Sequence, residues 1–121
     1  EVDVYSPDHR RSFCFIDDAV EMLKKMLETE ACAGKTLNLG NESPEVTIRK
    51  VVQTCIDITG KKLTIKALSP TPGSPERRAP DMKQCQKILN YQPKVSLTEG
   101  ISKTWAWYRE HIFEGSGPTA R

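Results

Sequence analysis

Apolar residues recur at helical spacing in four stretches of the chain, with short apolar or alternating runs between them. From Asp18 to Thr29, Ala19, Val20, Leu23, Met26 and Leu27 share one face, while Glu21, Lys24, Lys25 and Glu28 share the other. That spacing predicts an amphipathic helix closed by Ala33-Gly34. Just before it, Phe13 and Phe15 alternate with Cys14 and Ile16, the pattern of a brief buried strand. Asp17 or Asp18 is placed to accept the free N–H groups of the helix's first turn. Thr36 to Gly40 predicts a short strand with Leu37 and Leu39 on one side. Thr47 then caps a second helix, in which Ile48, Val51, Val52, Cys55 and Thr59 form a face and Gly60 the stop.

Lys62 to Leu68 alternates, with Leu63, Ile65 and Ala67 inward and Lys62, Thr64 and Lys66 outward, as in an edge strand guarded by lysines. Ser69 to Pro80 holds four prolines and one glycine, which predicts a stiff loop without regular structure. Loops of that length inside compact domains tend to carry function. Asp81 caps a short helix bearing Met82, Cys85, Ile88 and Leu89. Ser96 and Glu99 form a capping box for the last helix, which runs to about Phe113 on a stripe of Ile101, Trp105, Tyr108 and Ile112. Trp107 lies off that stripe and is expected to be partly exposed. Residues 1–113 thus read as one α/β unit, and 114–121, rich in turn-formers, as a disordered tail.

Composition narrows the function classes. Of 121 residues, 37% are hydrophobic and 28% charged, with a net charge of +2, which points to neither disorder nor a membrane protein. No basic stripe interleaved with aromatics suggests nucleic acid, and no apolar run approaches membrane-spanning length. The four cysteines form no C-x-x-C pair and His9 and His111 stand apart, so no metal site is expected. Small buried thiols and a reducing, cytoplasmic setting fit. The acidic start without Met reads as a fragment or a processed product.

Two basic pairs carry the candidate chemistry. Arg10-Arg11 precedes the first helix and Arg77-Arg78 precedes Asp81. Either pair alone is a solvated surface feature. Two pairs, each just ahead of a capped helix start, suit a shared phosphate site, because the guanidinium fork gives bidentate hydrogen bonds and a helix start adds positive potential.

These stretches carry a resemblance. Arg11-Ser-Phe-Cys-Phe-Ile-Asp-Asp18-Ala-Val resembles the R-[SD]-F/Y-x-x-V-x-D-L-V segment of extended short-chain dehydrogenase/reductases that act on nucleotide sugars. Leu37-Asn-Leu-Gly40 with Glu45-Val-Thr-Ile48 resembles their N-I-G … x-x-T-I segment. Arg77-Arg-Ala-Pro-Asp81 resembles R-x-P/G-D, and Leu89-Asn-Tyr-Gln-Pro93 through Leu97-Thr-Glu-Gly100-Ile resembles L-G-W-x-P … L-x-E-G-L. The four segments stand in the right order across residues 9–108. The pattern is nearest to UDP-glucuronate decarboxylases and UDP-glucose 4-epimerases. It departs at Asn90-Tyr91, where Gly-Trp is usual, and at Ala79.

The resemblance implies the C-terminal portion of that fold, with short strands and four main helices, and an N-terminal Rossmann half outside this chain. It implies that Arg11 and Arg78 grip the nucleotide diphosphate, that Phe13 lies near the base and that Asp81 lies near the ribose. Read from the residues alone, Phe13 is a core aromatic and Asp81 a helix cap. No G-x-x-G-x-x-G turn and no Tyr-x-x-x-Lys pair appears, so no catalytic or cofactor-binding residue is expected here. The whole protein is then expected to be an epimerase, dehydratase or decarboxylase using NAD or NADP on a UDP-linked sugar, as a homodimer. The alternative is a stand-alone, non-catalytic nucleotide-sugar-binding or interaction module.

Overall fold

The computed structural model describes residues 1–114. Short strands and four helices alternate along the chain. β1 (Val2–Tyr5) and β2 (Arg10–Arg11) lead to α1 (Ile16–Glu28) and a 3-10 turn at Glu30–Cys32. β3 (Val46–Thr47) runs straight into α2 (Ile48–Thr59), followed by β4 (Ile65–Leu68), β5 (Arg77–Arg78), α3 (Lys83–Leu89) and α4 (Leu97–Tyr108). Beyond α4, Arg109–Phe113 widens into a π-helical turn, so the expected single helix to Phe113 is two pieces. The expected tail, apart from Glu114, lies outside the described residues.

The strands make two small sheets. β1 pairs in parallel with β4, Val2 opposite Ile65 and Tyr5 opposite Leu68. β1 was not expected; the Val2/Val4 alternation is the signal that could have found it. The predicted strand over 62–68 is correspondingly shorter, and Leu63 is exposed. The second sheet has the order β3-β2-β5, antiparallel between β2 and β3 and parallel between β2 and β5.

The first helix departs from its expected pattern in an informative way. Phe15 occupies its N-cap position without a side-chain cap, and residues 12–15 are an extended loop rather than a strand. Asp18 does not cap; it turns inward and is only 2% exposed. Met22 is buried against Met82, Cys85 and Leu89 of the α3 segment, with Met26 packed alongside. Ile16, Val20, Leu23 and Leu27, at spacings of four, three and four residues, form a second stripe that stays exposed. Of the face expected to be the core face, Val20, Leu23 and Leu27 therefore point outward, while Met26 does pack on the core. Thr36–Gly40 likewise forms no strand, because no neighbouring strand offers it hydrogen bonds.

Local capping agrees better with the sequence. Thr47 accepts from Lys50 N at 3.2 Å, and Gly60 ends α2 at φ 65°. Ser96 accepts from Glu99 N at 3.2 Å, but Glu99 turns to Lys103 at 2.9 Å, leaving half a capping box. Met82, not Asp81, holds the N-cap position of α3, although Asp81 Oδ1 still accepts from Lys83 N at 3.0 Å. Trp107 is exposed and stacks on His111, with ring centroids 4.8 Å apart.

Candidate functional site

The loop expected to lack regular structure contains β5, and that strand organises the site. In the β2–β5 ladder Arg10 lies opposite Arg77 and Arg11 opposite Arg78. Neighbours along a strand point to opposite faces, and ladder partners to the same face. Arg11 and Arg78 thus leave one face and Arg10 and Arg77 the other. Both pairs precede a helix start, as expected, but they sit in strands, and the N-cap residues of those helices, Phe15 and Met82, give no side-chain cap.

The two faces differ in charge. Glu45, one residue before β3, accepts from Arg77 Nε at 2.7 Å and also from its Nη2. That hydrogen bond holds the Glu45 carboxyl below the usual carboxylate range and raises the Arg77 guanidinium. On the other face Arg11 meets neutral acceptors: Arg10 O at 2.7 Å, Glu76 O at 3.5 Å and Ser74 Oγ at 3.3 Å. Among the described residues neither Arg11 nor Arg78 forms an ion pair with a carboxylate.

The remaining expected site residues fall nearby in sequence but in different settings. Asp81 is exposed, and Asn38 Nδ2 donates to its backbone oxygen at 2.9 Å. Glu42 accepts from Met82 N at 3.0 Å, tying the 38–42 segment to the chain just after β5. Phe13 is 39% exposed and lines an apolar recess of about 250 Å³ between α2 and α4, with Cys55, Leu97 and Ile101. Glu45, Ser74 and His9 are the site neighbours that the sequence did not single out. A polar residue between prolines and a histidine beside an arginine pair were the only signals.

All four cysteines are free. Burial pushes the Cys14, Cys55 and Cys85 thiols up, so they stay protonated. None of the described glycines opens a helix behind a strand: Gly34, Gly60 and Gly73 sit in turns at positive φ, Gly40 lies against Pro80, and Gly100 is inside α4. No group of three or more candidate metal ligands occurs among the described residues, and no helix there is long and apolar enough to cross a membrane.

The fold is a piece of the extended short-chain dehydrogenase/reductase epimerase fold. The chain's homologues are UDP-glucuronic acid decarboxylases, and its structural neighbours are NAD-dependent epimerases and dehydratases. UDP-glucuronic acid decarboxylase 6 of Arabidopsis thaliana is 33% identical over 91 residues, 75% of this chain and 26% of that protein. UDP-glucuronic acid 4-epimerase from Bacillus cereus, in complex with UDP-glucuronic acid and NAD, superposes with a TM-score of 0.79 at 26% identity. The match covers 88% of this chain and 34% of that one. UDP-glucose 4-epimerase from Thermotoga maritima, at 24% identity and a TM-score of 0.81 over 90% of this chain and 35% of that one, shares the fold. The chain spans about a quarter of the length of the curated relatives it matches. No family model matches it.

Proposed function

We propose that residues 1–113 are the nucleotide-sugar-holding, C-terminal portion of an NAD-dependent UDP-sugar epimerase or decarboxylase. The observation that carries this reading is the Arg11–Arg78 ladder pair, two cations on one face with no carboxylate paired to either among the described residues. A diphosphate presents adjacent anionic groups, and two guanidinium forks on adjacent strands suit it. Asp81, exposed and held by Lys83 N, is read as the ribose contact, and half-exposed Phe13 as the contact to the base. Binding spent on this remote handle orients the sugar. NAD, held by an N-terminal Rossmann half, supplies the hydride chemistry when bound. The exposed α1 stripe and the unpaired 36–40 segment support such a half as their cover. The whole protein is read as a homodimer, and the free thiols support a reducing, cytoplasmic setting.

The test is UDP affinity in the full-length protein, measured by calorimetry. Arg11→Ala and Arg78→Ala are each expected to weaken binding about tenfold to a hundredfold. Lysine restores only part, since it keeps the charge and loses the fork. Arg10→Ala and Arg77→Ala, on the opposite face, lose far less. Equal losses at all four positions reduce the clamp to general electrostatics, and no loss at Arg11 or Arg78 removes it.

A further inference from the structure

Arg11 is a long side chain on a two-residue strand, and its guanidinium is nevertheless held in one orientation. Two backbone carbonyls, Arg10 O and Glu76 O, take Nη1. Nη2 goes to a single side chain, Ser74 Oγ at 3.3 Å. Ser74 in turn lies 3.4 Å from Nδ1 of His9, which is 8% exposed. An arginine only donates, so the Ser74 oxygen accepts from it, and the hydroxyl proton is free to go to His9 Nδ1.

His9 is the fixed end of this chain. Its N–H donates to Ser6 O at 3.0 Å, and its carbonyl accepts from Ile48 N, the first residue of α2, at 3.0 Å. Ser74 is anchored independently: its N–H donates to Thr71 O at 3.0 Å, across a turn in which Gly73 stands at φ 78°. Two segments, 9–11 and 74–76, thus meet on one guanidinium, and none of the three atoms it donates to carries a negative charge. A carboxylate in place of Ser74 would hold Arg11 equally well but would neutralise it.

We infer that Ser74 and His9 are positioning residues for Arg11, fixing its fork toward the ligand face while leaving its charge free for a nucleoside diphosphate. The inference rests on the clamp proposed above. It assigns a role to the proline-rich loop beyond delivery of Arg78: the same loop returns to orient Arg11, so both arginines depend on it.

A double-mutant cycle in the full-length protein, with UDP titrated calorimetrically, tests this. Ser74→Ala is expected to weaken UDP binding about threefold to tenfold with an unchanged melting temperature. Ser74→Thr keeps the hydroxyl and the affinity. His9→Phe behaves like Ser74→Ala, while His9→Asn, which keeps a hydrogen-bonding atom near the Nδ1 position, retains affinity. In an Arg11→Ala background, Ser74→Ala has no further effect. An equal loss in that background means that Ser74 acts without Arg11, and no loss in the parent protein means that it does not act; either result overturns the inference alone. Full affinity in Arg11→Ala itself removes the clamp, and the positioning role with it.

Discussion

The Tyr91 hydroxyl donates to Asp18 Oδ1 at 2.7 Å, joining the first turn of α1 to the loop between α3 and α4. The same carboxylate accepts from Lys94 N at 3.0 Å and Val95 N at 2.9 Å. Burial alone would raise the Asp18 carboxyl, but the two backbone N–H groups, the Tyr91 hydroxyl and the Lys94 charge together hold it below the usual range. Burial first, and then this hydrogen bond, push Tyr91 up to about 12.

Both shifts set pH limits on stability. The depressed Asp18 contributes stability above its unfolded value of about 3.9, and the contribution is lost as pH falls below that. The raised Tyr91 contributes below its unfolded value of about 10, and that contribution is lost as pH rises from there toward about 12. Asp18→Ala leaves two part-buried N–H groups and the Tyr91 hydroxyl without their acceptor and is expected to cost about 1–3 kcal/mol. Denaturant melts across pH check this: Asp18→Asn should flatten the acid limb and Tyr91→Phe the alkaline limb. Unchanged limbs in both variants would show that the staple contributes nothing.

Gly100 is buried inside α4, where helix propensity alone favours alanine. A Cβ there would lie 3.0 Å from Cδ2 of Phe15. Gly100→Leu is therefore expected to destabilise by about 1–3 kcal/mol through overpacking. Chemical denaturation reads the shift. A stabilised Gly100→Leu would mean that Phe15 yields freely and that the close approach is incidental.

The outward stripe of α1 predicts association. Ile16, Val20, Leu23 and Leu27 are 63%, 49%, 49% and 81% exposed, a continuous apolar row. The chain produced alone should self-associate or bind a hydrophobic dye. Leu23→Lys with Leu27→Lys should reduce both, with little loss of stability since neither side chain is in the core. Sedimentation and dye fluorescence are the measurements, and a clean monomer without dye binding counts against a covered face.

The sequence was most readable where a cap or a period acts locally. Thr47, Gly60 and Ser96 do what their residue types dictate, and the four helices stand where the spacing put them. It was misread where one helix carries two apolar stripes. Period alone cannot say whether Leu23 or Met22 faces the core, because that depends on what the rest of the fold offers to pack against. The Leu37–Leu39 strand failed for the same reason, since a strand exists only against a neighbour. At the site, Arg11 and Arg78 were legible as a pair of positions, but their relation as ladder partners was not. A two-residue strand inside a proline-rich loop has no periodicity to detect.

The arginine doublets leave one question of alignment to residues far from them. Glu42 and Asn38 grip Met82 N and Asp81 O, so β5 is measured off from a fixed post, with only Ala79 and Pro80 between. Shorten that spacer by one and Arg77 moves into the place of Arg78, while Glu76 comes to face Glu45. Lengthen it by one and the place of Arg78 goes to a residue without a charge. The doublet is thus a spare in one direction only. Losing a residue keeps a cation beside Arg11 but sets two carboxylates together, and gaining one leaves that place uncharged, so the length of this spacer, rather than its identity, is what holds Arg78 opposite Arg11.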